Sequence, residues 1–211
     1  MKVTAIIPAY NEEKRIAKVL DTVTQLNIVD QIIVVSDGST DDTAEIARYY
    51  TEDVIELKEN IGKGGAIITG LSYSNADIVL LLDADLIGLT KDHVLALLEP
   101  VIWGDAETTV GIFTSGRLFT DWAQKIAPFL SGQRAIRSSL IKKIEGLDIT
   151  SYGFEIALTK YLHSNKIPVK KVVLCGITHT MKEEKLGLYR GFLWRIKMYW
   201  QILKAINVDI R

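Results

Sequence analysis

Short apolar runs alternate along this chain with amphipathic stretches, and most of the runs end at a polar turn. Val3-Thr4-Ala5-Ile6-Ile7-Pro8 reads as a buried first strand that stops where proline removes the ladder donor. Glu12-Glu13-Lys14-Arg15 then opens a helix capped by Asn11, with Ile16, Val19, Leu20, Val23 and Leu26 recurring on its inner face. A second strand spans Gln31–Ser36, followed by a turn at Asp37–Thr43, a helix over Ala44–Tyr50 and a short strand over Val54–Leu57. Asn60–Ala66 reads as a glycine-rich turn before a helix over Ile67–Ser74. Ala76–Leu82 is apolar apart from Asp77 and lacks the alternation of a half-exposed strand, so it predicts a strand buried on both faces of a parallel sheet. Strands alternating with helices at this rate imply right-handed crossovers and a mostly parallel sheet, with helices on both faces.

The pattern changes after Asp85. Thr90–His93 starts a helix that runs to Leu98 and stops before Pro100, and His93 in its first turn reads as a surface residue. Val110–Thr114 reads as a strand, Trp122–Phe129 as amphipathic, and Ser131–Arg137 as a turn before another helix. Ser151–Glu155 precedes an apolar helix over Ile156–Leu162, and Val169–Leu174 is a late strand. Gly187–Ile206 closes the chain as a long helix, with Arg190, Lys197, Gln201 and Lys204 on a narrow stripe and apolar or aromatic residues over most of the rest. Two readings of this helix are open. It docks on the sheet or on a second copy of the chain, or it lies peripherally on a membrane surface.

Composition narrows the class. The 211 residues suit one domain, and the contents of 48% hydrophobic and 24% charged residues are ordinary for a folded soluble protein. A formal net charge of -1 argues against nucleic acid as the main partner. The lone Cys175 forbids an internal disulfide and predicts a buried thiol in a reducing compartment, hence the cytoplasm. No run of ~20 apolar residues offers a membrane span, and Met1–Pro8 is too short for a signal peptide.

The candidate chemistry gathers at strand ends. Asp83 and Asp85 follow the most apolar strand, where α/β sheets bind ligands, and paired carboxylates there offer hard oxygens to Mg²⁺ or Mn²⁺. Asp37 stands directly after the second strand, at the equivalent position. Asn60–Ala66 offers backbone N–H groups and the Lys63 cation as a candidate phosphate cradle, without the spacing of a P-loop, or else a flexible connection with a solvated lysine. Glu155 stands among residues that read as buried, where an acid has a partner or a task. Arg134 and Arg137 suit a phosphate or carboxylate, or a solvated helix start. Taken alone, His163 and His179 read as structural imidazoles.

In order along the chain, Ile7-Pro8-Ala9-Tyr10-Asn11-Glu12-Glu13, Val35-Ser36-Asp37-Gly38-Ser39-Thr40-Asp41, Gly62-Lys63-Gly64 and Asp83-Ala84-Asp85 resemble the family 2 type of nucleotide-diphospho-sugar glycosyltransferases. Those enzymes have the GT-A fold. Later pieces, Ser131-Gly132-Gln133-Arg134-Ala135, Tyr152-Gly153-Phe154-Glu155-Ile156 and His179, are similar to glucosyl-3-phosphoglycerate synthases and their relatives. The resemblance implies a single domain over residues 1–211, with a nucleotide-sugar half at 1–100, an acceptor half at 101–186 and the terminal helix at 187–211. It implies that Pro8, Ala9, Tyr10 and Glu12 contact the base and ribose of a UDP- or GDP-sugar, that Asp37 accepts a hydrogen bond from the base, and that Lys63 lies near the nucleotide. Asp83, with Ala84, would face the ribose or a water-linked metal. Asp85 would bind Mg²⁺ or Mn²⁺ directly and stabilise the leaving diphosphate, with His179 as a second ligand. Glu155 would hold sugar hydroxyls or assist the acceptor, and Gly132, Gln133 and Arg134 would touch the acceptor or the sugar.

The implied reaction moves a hexose, glucose from UDP-glucose first among candidates, to a small phosphorylated or carboxylated acceptor or to a membrane lipid. No Glu-Asp pair stands between Ile112 and Ser151 to serve as a base, so either Glu155 substitutes or configuration is retained. Two other classes compete. A sugar-nucleotide nucleotidyltransferase would carry a glycine- and arginine-rich loop after the first strand, where this chain has Pro8-Ala9-Tyr10-Asn11; a non-catalytic sensor would not need both Asp83 and Asp85.

Overall fold

The computed structural model describes residues 1–114, 131–143 and 153–179. The chain divides into two compact units, Met1–Thr178 and His179–Arg211, and every site below lies in the first. Its strands are β1 (Val3–Ala9), β2 (Gln31–Ser36), β3 (Val54–Glu56), β4 (Ile78–Leu81), β5 (Leu86–Ile87), β6 (Thr109–Thr114), β7 (Arg134–Arg137) and β8 (Lys170–Cys175), with β9 (Thr178–His179) at the division. The helices are α1 (Ile16–Thr24), α2 (Thr43–Arg48), α3 (Lys63–Ser72), α4 (Lys91–Ile102), α5 (Ser138–Ile141) and α6 (Gly153–Ser164).

The main sheet has the order β3-β2-β1-β4-β7, parallel throughout except for the antiparallel β4–β7 pair. Beyond β7 the hydrogen bonding continues to β6 through Gly111 N to Gln133 O (2.9 Å) and Arg137 N to Glu107 O (3.0 Å), and β6 pairs in parallel with β8. Strand pleating sorts side chains onto two faces. Val3, Ala5, Ile7 and Ala9 of β1 join Ile78, Leu80 and Leu82 beneath α1 and α4. Ile6, Val79, Leu81 and Ile136 turn the other way, toward α3, α5 and α6. The chain leaves β1 toward β2 on one side and has β4 on the other, so the strand order reverses beside β1 and a crevice opens at the carboxyl ends.

Proline shapes that crevice without ending the strand. β1 runs through Pro8 to Ala9, one residue beyond the expected stop. Ile6 O accepts Leu82 N (3.3 Å), so even-numbered β1 backbone groups face β4, and the donor missing at Pro8 is on that side. The β1–β4 register accordingly ends at Ile6 and Leu81, while β1–β2 pairing continues to Ala9 and Ser36. Asp83 leaves the sheet where the ladder lapses.

Other boundaries also moved. α1 begins at Ile16 without a side-chain cap; Asn11 instead takes a positive φ of 53° in the preceding loop. α3 begins at Lys63, which places Lys63 and Gly64 inside its first turn rather than in an open phosphate-cradling loop. α4 continues through Pro100 to Ile102, past the expected stop. The stretch expected as a turn around Arg134 is strand β7. Cys175, expected to be buried, is exposed, since alternation along β8 turns Leu174 inward and its neighbour outward. Trp122–Phe129 and Gly187–Ile206 lie outside the described residues. Among the described residues no helix is long and apolar enough to cross a membrane.

Candidate active site

The loops after β1 and β2 are knitted into one rim. Asn11 Oδ1 accepts Thr40 N (2.8 Å), Asn11 N donates to Ser39 Oγ (3.1 Å), and Glu12 N donates to Thr43 Oγ1 (2.7 Å). Asp41 in turn accepts Thr43 N (3.1 Å) and the Thr43 hydroxyl. These bonds hold Tyr10, which is 49% exposed, at the lip of the crevice, while Glu12 is buried beneath it. Pro8 and Ala9 form the floor at the end of β1.

Asp37 is 3% exposed, and its carboxylate accepts two backbone N–H groups, Ile61 N at 2.8 Å and Gly62 N at 2.9 Å. Asn60 Nδ2 donates to Asp37 O (3.1 Å), a contact that sequence reasoning did not single out. The amides read from sequence as a phosphate cradle are thus committed to an internal carboxylate. Each carboxylate oxygen has a second acceptor site, so Asp37 retains capacity for a ligand donor. The close approach demands glycine at position 38, where φ is +67° and a Cβ would stand 2.6 Å from Asn60 N and from Glu59 C.

Because Val79 and Leu81 face α3 and α6, alternation sends Asp83 to the same side. It meets Lys63, the first residue of α3, with Nζ 2.6 Å from Asp83 Oδ1. The same ammonium lies 3.2 Å from Oε1 of Glu155, in the first turn of α6. Register pairs Arg134 with Leu81, which places its side chain on that face too, fully buried, with Nε donating to Ser131 O at 3.1 Å. Two cations and two acids therefore share one pocket of the interior. Burial alone would lower the Lys63 pKa, but Asp83 and then Glu155 outweigh it and hold the ammonium well above its ordinary value. Burial pushes the Arg134 guanidinium down to about 10, opposed by Glu155, so it stays charged at neutral pH.

Gly132 closes the cluster from above. A Cβ at this position would lie 2.2 Å from Lys63 Nζ and 2.6 and 2.9 Å from the two Asp83 carboxylate oxygens. Gln133 is buried with Oε1 accepting the Ser131 hydroxyl (2.9 Å). Among the described residues, Gln133 Nε2 and Glu155 Oε2 are buried without a hydrogen-bond partner. Such orphaned groups are uncommon and ask for a reason.

The structure thus brings Lys63, Asp83, Gly132, Arg134 and Glu155 together, with Gln133 alongside, and places Asp37 one loop away. Ala84 is buried, and Asp85 is half-buried in the turn beyond it. His179 belongs to the second unit, and its side chain lies outside the described residues. Among the described residues no three His, Cys, Asp or Glu side chains converge on one point. The Asp83–Asp85 pair still fits a hard divalent ion, because carboxylate oxygens suit Mg²⁺ or Mn²⁺ and a diphosphate supplies further oxygens. Arg134, expected at the acceptor, is completely buried in the ionic cluster beside Glu155.

A family model described as glycosyl transferase family 2 matches residues 4–160. The chain belongs to that family. Its fold is the GT-A fold, shared with solved structures that are similar to it over most of its length. Glucosyl-3-phosphoglycerate synthase of Mycobacterium tuberculosis, solved with Mn²⁺, UDP-glucose and phosphoglyceric acid, is 26% identical, with a TM-score of 0.72 over 84% of this chain and 71% of that one. The same synthase with Mg²⁺ and UDP aligns with a TM-score of 0.71, again 26% identical over 84% of this chain and 71% of that one. A 4,4'-diaponeurosporenoate glycosyltransferase of Staphylococcus aureus (strain USA300) is 38% identical over 101 residues, 46% of this chain and 27% of the relative. The family 2 chain therefore spans well under half the length of that curated relative.

Proposed function

We propose that the protein is a metal-dependent glycosyltransferase that moves a hexose, with glucose from UDP-glucose as the first candidate, to an acidic acceptor. The observation that carries this reading is the meeting of Lys63, Asp83 and Glu155 at the carboxyl end of β4, with Asp85 two residues further along the chain and Asp37 at the end of β2. In this reading Pro8, Ala9, Tyr10 and Glu12 line the nucleoside, and Asp37 receives the base on its remaining acceptor sites. Asp83 faces the ribose, and Asp85 would hold Mg²⁺ or Mn²⁺. Bound there, such an ion would supply electrostatic stabilisation for charge developing on the departing diphosphate. Glu155 offers Oε2 to a sugar hydroxyl, and Gly132 and Gln133 form the wall toward the acceptor. The anomeric carbon–oxygen bond to the diphosphate breaks, the sugar joins an acceptor oxygen, and the nucleoside diphosphate leaves.

An acidic acceptor is favoured because phosphoglyceric acid appears with the structural relative and the curated relative is named for an -oate. Calorimetric titration with UDP-glucose, GDP-glucose and their free nucleotides, with and without Mn²⁺, tests the donor side. Metal-dependent binding of one nucleotide-sugar is expected, and binding of none overturns the reading. An acceptor screen with phosphoglyceric acid, an apolar carboxylic acid and a lipid vesicle, using the tightest donor, then separates a small acid from a lipid.

A further inference from the structure

We infer that Lys63 is a positioning residue, which holds Glu155 against Asp83 so that the buried Oε2 of Glu155 takes a hydroxyl of the donor sugar, and that Gly132 is required to leave room for this arrangement. The inference rests on the nucleotide-sugar reading above and differs from the expectation that Lys63 contacts the nucleotide.

The geometry gives Lys63 two carboxylate partners within the protein, at 2.6 Å and 3.2 Å. These partners come from distant parts of the chain, Asp83 from the end of β4 and Glu155 from the start of α6. Without the ammonium, two acids would face each other across a largely dry space and repel. Lys63 is itself anchored from behind, since Asp37 clamps Ile61 N and Gly62 N and so fixes where α3 begins. A line of contacts therefore runs from Asp37 through the α3 start to Lys63 and on to both acids. Oε1 of Glu155 is spent on Lys63, which leaves Oε2 as the acceptor without a partner among the described residues. Gly132 presses on the pair closely enough that one methyl group would displace the ammonium, the Asp83 carboxylate or both.

The test compares how much the sugar adds to binding. The ratio of the Kd for UDP to the Kd for UDP-glucose is measured by calorimetry with Mn²⁺ for wild type, Lys63→Met, Gly132→Ala, Glu155→Gln and Lys63→Met/Glu155→Gln. A direct contact from Lys63 to the diphosphate would weaken UDP and UDP-glucose alike and leave the ratio unchanged. Positioning of Glu155 predicts that the ratio falls about tenfold in each single variant, and that Lys63→Met lowers it no further once Glu155 is Gln. Circular dichroism reports folding; if Lys63→Met fails to fold, Gly132→Ala, which keeps every charge, reads the same ratio. An unchanged ratio in Gly132→Ala and in every Lys63 variant that folds overturns the inference, as does an unchanged ratio in Glu155→Gln. Wild-type protein that binds neither UDP nor UDP-glucose overturns the donor reading first, and this inference with it.

Discussion

Asp85 and Asp37 are both strand-end acids, yet they differ in what they do for the fold. Asp85 lies half-buried in a turn, so Asp85→Ala should still fold with a cooperative thermal transition while lowering metal-dependent UDP-glucose turnover about 100-fold, roughly 3 kcal/mol of leaving-group stabilisation. Turnover that persists at wild-type rate would return Asp85 to the role of a turn residue. Asp37→Ala strands two backbone donors and should cost about 1–3 kcal/mol in urea unfolding as well as donor affinity. Lys63 adds a pH dependence. Its folded pKa is raised, so its contribution to stability is fully present below the unfolded value of about 10.4 and is lost as pH rises through the folded value. Arg134, lowered to about 10, works with the opposite sign over that range. Urea unfolding of wild type and Lys63→Met from pH 7 to pH 11 should show the wild-type advantage shrinking only at the alkaline end. These acids were legible in the sequence because each follows an apolar run. The Lys63 partnership was not, since nothing in Gly62-Lys63-Gly64 records which acids another strand and a helix will bring to it.

The elements show where periodicity sufficed and where it fell short. β2 and the start of α4 stand where the pattern put them, and the latter is fixed by a capping box in which Thr90 accepts His93 N and His93 Nδ1 accepts Thr90 N at 3.2 Å. His93, read as a mere surface residue, is half of that cap. Thr90→Ala should lower stability by about 1 kcal/mol, and His93→Glu, which keeps an acceptor and adds a negative charge at the helix start, should raise the Tm. Gly38→Ala should lose more, about 2 kcal/mol or beyond in urea unfolding, because the strained φ and the nearby Asn60 backbone leave a methyl group no escape. Both prolines misled: β1 runs on because its pairing with β2 does not use the Pro8 nitrogen, and α4 carries Pro100 inside it as far as Ile102. β7 was missed for another reason. Arg134-Ala135-Ile136-Arg137 is four residues long and carries a fully buried arginine, whose place in a strand depends on Glu155 neutralising it from another element.

Across the whole molecule, the parallel alternating order and the family were legible from ordered motifs in the first hundred residues, and the family match over residues 4–160 extends well past them. Among the described residues the two apolar clusters lie between Val3 and Ile177, and a chain ended after Lys185 that keeps them all should keep a cooperative urea transition. Loss of that transition would make Gly187–Ile206 part of the core, and sedimentation of the full chain with anionic liposomes, absent from the shortened one, would make it a membrane contact. The placement of β7 beside β4 has one more consequence, for the chain as it is made. Ile78–Leu81 is buried on both faces, and one of its edges is covered only when Arg134–Arg137 arrives. A nascent chain that has finished residues 1–102 but not β7 presents a bare, wholly apolar edge, the kind that templates pairing with other chains. Residues 1–102 therefore cannot serve as a detachable module: a fragment ended after Ile102 should aggregate during synthesis, in spite of carrying nearly every motif by which its family is recognised.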